Sequence, residues 1–220
     1  MPIPQLDALK ARLVAYARFV EDMIEKSKKA LVAREPDTLK GIIDEDEPKA
    51  NTFEMDLEEE CTSLIAQHQP MARDLRTMLM ILRITNDLER IGDHAVNIAE
   101  AVRDHLSGSP PVPDEGLLHM YEETITMVDC AIRAFIDEDA KLGQHVCETD
   151  TTVDSLANEI LDRLSTSMTL EPAYIPQSLS ILKVAANLER IADLSTNIGE
   201  DVIYMTEGRV IKHHRQEEQQ

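Results

Sequence analysis

Apolar residues recur at steps of three and four along most of the chain, which is the spacing of one buried face on an α-helix. The pattern is clearest at positions 88–102, where no proline interrupts it. The apolar stripe of that stretch consists of Leu88, Ile91, Ala95, Ile98 and Val102. Breaks at prolines and glycines divide the whole pattern into six predicted helices, at about residues 5–33, 38–67, 71–106, 114–137, 140–168 and 176–207.

Short corners separate the helices within each half of the chain, and short corners make neighbouring helices antiparallel. Pro48 falls inside the second predicted helix, so a kink there, or a helix start nearer to it, is expected. Only residues 108–113 read as a linker, because a glycine and three prolines oppose a helix there. The sequence therefore predicts an all-α fold of two tandem three-helix bundles, with a first repeat over 1–107, a second over 114–208 and a polar tail over 209–220.

The third and sixth predicted helices carry one motif twice, at a spacing of one hundred residues. Ten of the twenty positions in 81–100 are identical to their counterparts in 181–200. The identities include a row of polar residues that lies roughly opposite the apolar stripe. Two copies of an outward-facing polar row suggest that the row binds something. Its members are Glu89, Asp93, Asn97 and Glu100 in the first copy, and Glu189, Asp193, Asn197 and Glu200 in the second.

Metal ions are one candidate for these polar rows. Residues four apart on a helix are neighbours, so Glu89 with Asp93, and Asp93 with Asn97, can share an ion, as can Glu189, Asp193 and Asn197. Carboxylate and amide oxygens suit Mg²⁺, Mn²⁺, iron and, less often, Zn²⁺. Weaker candidates lie on neighbouring helices, with Glu47, Asn51 and Glu54 in the second and Asp150 and Asp154 in the fifth.

A solvated acidic face is the alternative, because carboxylates four apart arise often by chance in an acidic chain. Such like-charged pairs cost about 0.2–0.5 kcal/mol each, yet both copies retain them without a lysine in the row. His94, at the margin of the first row, is either an accessory ligand or an ordinary surface histidine. Arg90 and Arg190 are expected to pair with carboxylates of a neighbouring helix or to orient the row's carboxylates from behind.

A metal-dependent enzyme is a further alternative. Di-iron carboxylate bundles use Glu-x-x-His pairs that project into the bundle, but no glutamate of this chain is followed three positions later by a histidine. The polar rows are also predicted to point away from the core. No Gly-rich phosphate loop, nucleophile elbow or Cys/His constellation appears in the sequence. These features favour a non-enzymatic surface site.

Composition narrows the class of protein. The 42 acidic and 22 basic residues give a formal charge of −20, which disfavours binding to nucleic acid and to anionic membranes. No apolar run is long enough to span a membrane. The three cysteines, Cys61, Cys130 and Cys147, form no CxxC pair and argue against a disulfide framework. A cytoplasmic protein without direct membrane insertion is therefore expected.

The motifs resemble those of the PhoU family. In the first repeat the resemblance rests on Gln-Pro-Met-Ala-Arg-Asp-Leu-Arg at 69–76 and on the motif at 87–100. In the second it rests on residues 187–193, 197–204 and 207–208, so it spans nearly the whole chain. Three features depart from the family pattern: Ala192 in place of the glycine at Gly92, Leu194 in place of His94, and Pro48 within a helix.

The resemblance implies two tandem three-helix bundles and a negative regulator of phosphate uptake and of the phosphate-starvation response. Such proteins couple a phosphate ABC transporter to a sensor histidine kinase, and docking on the transporter's ATPase subunit is expected. Members are commonly homodimers, and some bind multinuclear iron, zinc, or magnesium and manganese at E(D)xxxD motifs. A paralogue with another duty, in persistence or metal-linked regulation, is the alternative within the family. The motif positions here are Glu89 and Asp93, and Glu189 and Asp193, with Asn97 and Asn197 beside them.

Overall fold

The computed structural model describes residues 4–108 and 115–207, and within these ranges the chain is almost entirely helical, with no strand. A π-helical segment covers Ile42–Asp46, and a 3₁₀ turn covers Pro172–Tyr174. The predicted linker beyond Gly108 and the predicted polar tail lie outside the described residues. The all-α prediction is confirmed by α1 (Pro4–Ala33), α2 (Pro36–Gly41), α3 (Glu47–His68), α4 (Ala72–Ser107), α5 (Glu115–Asp137), α6 (Ala140–Leu170) and α7 (Ile175–Glu207).

Pro48 divides what the sequence predicts as a single second helix from residue 38 to 67. Proline has no N–H, and its ring crowds the carbonyl four residues earlier, which here belongs to Asp44. The π-helical segment ends at Asp46 and α3 begins at Glu47, so Pro48 lies in the first turn of α3, directly after the widened π turn. The expected disturbance at Pro48 is confirmed, and it takes the form of a π-helical segment.

Ion pairs between α1 and α3 show that the two helices run in opposite directions. Near the start of α1, Arg12 pairs with Asp56 at 3.1 Å and also with Glu60. Lys26, about two turns before the end of α1, pairs at 2.8 Å with Asp46, which directly precedes α3. Later residues of α1 therefore contact earlier residues of the neighbouring helix, so the two helices are antiparallel, as the short corners predict.

The long helix α4 runs antiparallel to α3. The Cys61 thiol lies 3.3 Å from the carbonyl oxygen of Met78 near the shared corner. Farther away, Gly92 lies against Ala50, so positions rise on α4 as they fall on α3. At the corner, the N–H of Gln69 still donates to the carbonyl of Ile65, and the left-handed backbone of Gln69 (φ 45°) then turns the chain out of α3.

The two halves pack on each other along α4 and α7 and along α1 and α5. Arg83 Nη1 lies 2.8 Å from Asp201 Oδ1, and His94 Nδ1 lies 2.8 Å from Asn187 Oδ1. The buried apolar side chains of both halves belong to one continuous cluster. The halves therefore share one core. None of the helices in the described ranges is long and apolar enough to cross a membrane.

At the contact between α4 and α7, the side chain of Asp201 is buried and that of Asp87 is partly buried. Burial raises the pKa of Asp201 to about 6, against the lowering influence of Arg83. Burial likewise raises the pKa of Asp87 to about 6, although Arg90 and Arg83 lower it. The Arg83 side chain is 60% exposed, so water screens its charge and the ion pair does not cancel the cost of desolvation.

The double variant Asp87→Asn/Asp201→Asn is expected to flatten the pH dependence of stability. In the unfolded chain both carboxyls titrate near pH 4, whereas the folded state keeps their protons to about pH 6. Between these values the folded state binds more protons, so the wild-type protein loses stability as the pH rises, by on the order of 2 kcal/mol per group. Urea denaturation at stepped pH measures this loss. A variant as pH-dependent as the wild type would contradict the prediction.

Candidate functional site

The two polar rows lie on α4 and α7 and have the same exposure at their first three positions, whereas the last member is exposed in the first row (Glu100) and half-buried in the second (Glu200). Each row begins with a half-buried glutamate, Glu89 or Glu189, at the edge of the helix packing. Each row continues along its helix with two exposed positions. The exposed members are Asp93 and Asn97 in the first row and Asp193 and Asn197 in the second.

Carboxylates of α3 join the first row in what we call the first acidic cluster, which consists of Glu54, Glu58, Glu89 and Asp93. Burial raises the pKa of Glu89, and the charges of Asp93 and Glu54 raise it further, against Arg90. Burial also raises the pKa of Glu54, with added contributions from Glu58 and Asp93. Glu54 is one of the weaker sequence candidates. Glu58 is not among the candidates predicted from the sequence, although it lies four residues after Glu54 on the same helix face.

Three helices meet at Gly92, beside this cluster. A Cβ atom at Gly92 would lie 3.8 Å from the Cβ of Ala50 on α3 and 3.9 Å from Cγ2 of Val20 on α1. Glu54 follows Ala50 by one turn, and Glu89 precedes Gly92 by about one turn. Because α3 and α4 are antiparallel, both glutamates lie on the same side of this three-helix contact.

The remaining α3 candidates lie earlier on that helix. Glu47 is half-buried and Asn51 is exposed, about two turns and one turn before Glu54. Their role as ligands stays a prediction.

All five candidates of the second half line one groove of about 670 Å³ between α6, α7 and α4, which we call the second acidic groove. Burial raises the pKa of Glu189, and the neighbouring charges of Asp154 and Asp193 raise it further, against Arg190. The packing of α6 on α7 thus gathers residues that are more than thirty positions apart. The candidates in the groove are Asp150, Asp154, Glu189, Asp193 and Asn197.

The first half supplies one wall of the second acidic groove, through Arg83, Arg90 and His94 of α4. His94 Nδ1 lies 2.8 Å from the amide oxygen of Asn187, while the amide nitrogen donates to the carbonyl of Lys183 at 2.7 Å. An amide oxygen only accepts, so Nδ1 of His94 is the donor in this hydrogen bond.

The two sites therefore differ in their surroundings. The counterpart of His94 in the second repeat, Leu194, is buried and offers no polar atom. In the sequence, His94 lies at the margin of its own row. Only the packing of α4 on α7 places it in the wall of the other site.

The two row arginines have their ion-pair partners on their own helices. Arg90 Nη1 lies 4.0 Å from Asp87, and Arg190 Nη1 lies 3.6 Å from Asp193. Both partners are three residues away, and the arginine side chains are more than half exposed. This corrects the expectation of partners on a neighbouring helix, because the i,i+3 spacing already brings a carboxylate within reach.

The donor atoms of both sites are those that hard divalent cations prefer. The first acidic cluster offers only carboxylate oxygens, and the second acidic groove adds an amide oxygen and a histidine in its wall. Within the parts of the chain that the structure describes, no three His, Cys, Asp or Glu side chains converge as a metal-binding group. The carboxylates would have to move together to bind an ion.

The fold and the paired acidic rows define a helical protein built from two copies of one bundle. The chain belongs to the PhoU family: the model of the PhoU domain matches it over residues 13–102 and again over residues 117–202. The resemblance that the sequence motifs predict is thereby confirmed.

Relatives and solved structures agree with this assignment. The chain is 34% identical, over 95% of its length and 94% of the relative's, to the phosphate-specific transport system accessory protein PhoU homolog of Aquifex aeolicus. The crystal structure of PhoU from Pseudomonas aeruginosa matches with a TM-score of 0.87 at 32% identity, over 93% of this chain and 98% of the other. The phosphate transport system regulatory protein PhoU from Streptococcus pneumoniae matches with a TM-score of 0.88 at 25% identity, over 94% and 98%.

Proposed function

We propose that the protein is a negative regulator of phosphate uptake and of the phosphate-starvation response. It acts as an adaptor between the ATPase subunit of a phosphate ABC transporter and a sensor histidine kinase. The observation that carries this proposal is the match, over 95% of the chain, to proteins named phosphate-specific transport system accessory proteins. Because the relatives are named accessory and regulatory proteins, the proposed role is binding rather than catalysis.

The surface of the molecule suits an adaptor. The formal charge of −20 favours partners with basic faces and accelerates their encounter. The two halves present their acidic rows on separate helices, which allows two partners to dock at different places. We place this activity in the cytoplasm, where the ATPase subunit and the catalytic part of the kinase would be reached, and propose that the protein acts as a homodimer.

Divalent cations or iron on the acidic rows form the second part of the proposal. Burial and, after it, the charges of neighbouring carboxylates raise the pKa values of Glu54, Glu89 and Glu189, and a bound cation would offset both effects. A bound ion would supply positive charge between the helices. The first site would use Glu89, Asp93, Asn97 and Glu54, and the second Glu189, Asp193, Asn197, Asp150 and Asp154; Glu47 and Asn51 remain weaker candidates.

A paralogue with another regulatory duty is the second candidate. The Thermotoga maritima relative, 28% identical over 97% of this chain, is named phosphate-specific transport system accessory protein PhoU homolog 2. Such a paralogue would act in persistence or in metal-linked regulation and would leave phosphate uptake unaffected.

Deletion of the gene tests the proposal. Cells grown in abundant phosphate are expected to take up phosphate faster than the parent and to express starvation genes, because the brake on transporter and kinase is lost. Uptake of labelled phosphate and a reporter of the kinase's target genes measure the two effects. A copy of the intact gene should restore both.

Purified components test the adaptor role directly. The full-length protein is expected to retain both the transporter's ATPase subunit and the cytoplasmic part of the kinase in a pull-down. Retention of neither partner, together with unchanged phosphate uptake in the deletion strain, would favour the paralogue.

A further inference from the structure

A second depression lies between α6 and α7, directly beside the second acidic groove. Its volume is about 430 Å³, and we call it the apolar groove because most of its lining side chains are alanine or leucine. It shares Asp154 and Glu189 with the second acidic groove, so the two form one continuous surface along α7. The other lining residues are Ala157, Asn158, Leu161, Leu182, Ala185 and Ala186.

The apolar groove presents side chains that suit contact with another apolar surface. Leu161 is 46% exposed, and Leu182 is half-buried and packs against the core. Ala157 on α6 and Ala186 on α7 are small, so an approaching side chain can come close to both helix backbones. Covering Leu161 and its neighbours with a partner removes apolar area from water, which favours association.

The adjoining acidic groove gives the same surface a negative end. Two of the three arginines in its lining, Arg83 and Arg90, pair with carboxylates that are not part of the lining, and Arg190 pairs with Asp193. The carboxylates therefore outnumber the arginines, and a cationic occupant is favoured. The carboxylates of the lining are those of Asp150, Asp154, Glu189, Asp193 and Glu200.

We propose that the apolar groove and the second acidic groove together dock an amphipathic, basic α-helix of a protein partner. Its apolar side chains cover Leu161, Leu182 and Ala186, and its lysine or arginine side chains lie along the acidic groove. This inference rests on the adaptor part of the proposed function, for which it names a surface and the chemistry of the partner.

The dimensions of the surface match such a helix. Residues 182 to 200 of α7 cover about 27 Å at a rise of about 1.5 Å per residue, so a partner helix of about eighteen residues reaches from one end to the other. A helix binds in a groove through apolar anchors spaced three and four residues apart, while the charges around it fix its direction.

Charge argues against a second copy of this chain as the occupant. The formal charge of the chain is −20, so two copies would bring like charges together at the acidic groove. A basic segment of another protein meets opposite charge there, which also accelerates its encounter with the surface.

A designed peptide tests the apolar part of the surface. The probe is an eighteen-residue fluorescein-labelled peptide of leucine, lysine and alanine, with the leucines on one helical face, and its binding to the full-length protein is followed by fluorescence anisotropy in EDTA. Leu161→Ser is expected to weaken binding by about fivefold or more, because it removes an exposed anchor. Met55→Ser is the matched control: Met55 is 62% exposed on α3, outside both grooves, and the variant should bind the peptide as the wild type does.

Charge variants test the acidic part. Asp154→Asn is expected to weaken peptide binding by about threefold at low salt, and the difference should disappear near about 0.5 M salt, where exposed charges are screened. Asp162→Asn removes the same charge from an exposed position of α6 that lines neither groove, and it should have little effect. A peptide of the same composition with leucines spread around the helix measures non-specific attraction. Equal binding of both peptides, or equal binding by Leu161→Ser and the wild type, would overturn the proposal.

The pull-down with transporter and kinase components separates this inference from the adaptor role. Leu161→Ser/Ala186→Gln is expected to lose one of the two partners, whereas Met55→Ser keeps both. If the double variant retains both as well as the wild type does, the docking surface is wrong and the adaptor role stands. If the wild type retains neither, the adaptor role is wrong and the docking surface falls with it.

Two further measurements identify a different occupant. Light scattering that shows a dimer for the wild type and a monomer for Leu161→Ser/Ala186→Gln would assign the surface to a second copy. Deletion of residues 209–220 that tightens peptide binding by about tenfold would assign it to the protein's own basic tail, which contains Arg209, Lys212 and Arg215. Either result would overturn the proposal of a partner helix.

Discussion

Replacing Gly199 by valine is expected to lower the free energy of unfolding by about 3 kcal/mol. A Cβ atom at Gly199 would lie 2.8 Å from the carbonyl oxygen of Gly143, and one at Gly143 would lie 2.9 Å from the carbonyl oxygen of Gly199. Both obstacles are backbone atoms, which cannot rotate away as a flexible side chain can. The protein must therefore separate α6 from α7 or bend one of them. Urea denaturation followed by circular dichroism measures the loss.

Gly41→Ala is the matched control for this prediction. No atom lies within 4 Å of a Cβ placed at Gly41, and the residue lies at the end of α2 in helical conformation. Alanine there is expected to stabilise the protein by roughly 0.5–1 kcal/mol, because it reduces the freedom of the unfolded chain. A Gly199→Val protein within about 0.5 kcal/mol of the wild type would show that the two helices do not depend on this close approach.

The same substitution is expected to disturb the second acidic groove. The close contact at Gly143 lies about two turns of α6 before Asp150, and Gly199 lies less than two turns after Asp193. The crossing of the two backbones therefore sets how α6 presents its carboxylates to those of α7. Mn²⁺ affinity at the second site should fall in Gly199→Val even under conditions in which the variant remains folded.

Neutralising both acidic rows is expected to abolish stabilisation by metal. A ligand at one hundred times its dissociation constant stabilises a folded protein by about 2.7 kcal/mol per site. Glu89→Gln/Asp93→Asn and Glu189→Gln/Asp193→Asn should each remove about half of the effect of saturating Mn²⁺, and the combined variant should remove all of it. Thermal unfolding with and without Mn²⁺ measures the differences.

Without metal, the row variants should be more stable than the wild-type protein. Each row holds carboxylates four residues apart, and burial and mutual repulsion already raise the pKa values of Glu89 and Glu189. Neutral side chains remove that repulsion, so each row variant should gain about 0.2–0.5 kcal/mol per pair without metal. This reversal of sign distinguishes loss of a binding site from simple damage to the fold.

Glu21→Gln/Glu25→Gln on α1 provides the charge-matched control. These two glutamates have the same four-residue spacing and are half-buried, and burial raises the pKa of Glu21 as well. The control removes as much negative charge as a row variant and lies outside both sites. It should keep the full effect of Mn²⁺. Equal stabilisation of the combined row variant and the wild type by Mn²⁺ would show that the rows bind no metal.

Much of the architecture follows from local regularities of the sequence. The apolar spacing and the positions of Gly108, Pro70 and Pro172 locate the long helices to within a few residues of their observed bounds. Pro48 marks the disturbed part of the second helix. These features depend on residues three or four positions apart and on backbone groups missing from proline, so they can be read without knowledge of the fold.

The candidate site follows from the sequence only in part. The rows on α4 and α7 are visible as a repeated motif, because their members share one helix face. Glu58, by contrast, carries no repeated pattern and lies among other acidic residues of α3.

Local patterns in the sequence predict the helices, the duplicated motif and the acidic faces that we propose as binding surfaces. The packing of the helices puts His94 in the wall of the second acidic groove, stacks Tyr16 of α1 on Phe53 of α3, and joins both halves in one core. The difference lies in how far apart in the chain the interacting residues are. Helical periodicity expresses contacts between near neighbours in the chain, whereas the choice of which helices meet depends on the fit of whole faces, including the close approach that Gly143 and Gly199 permit.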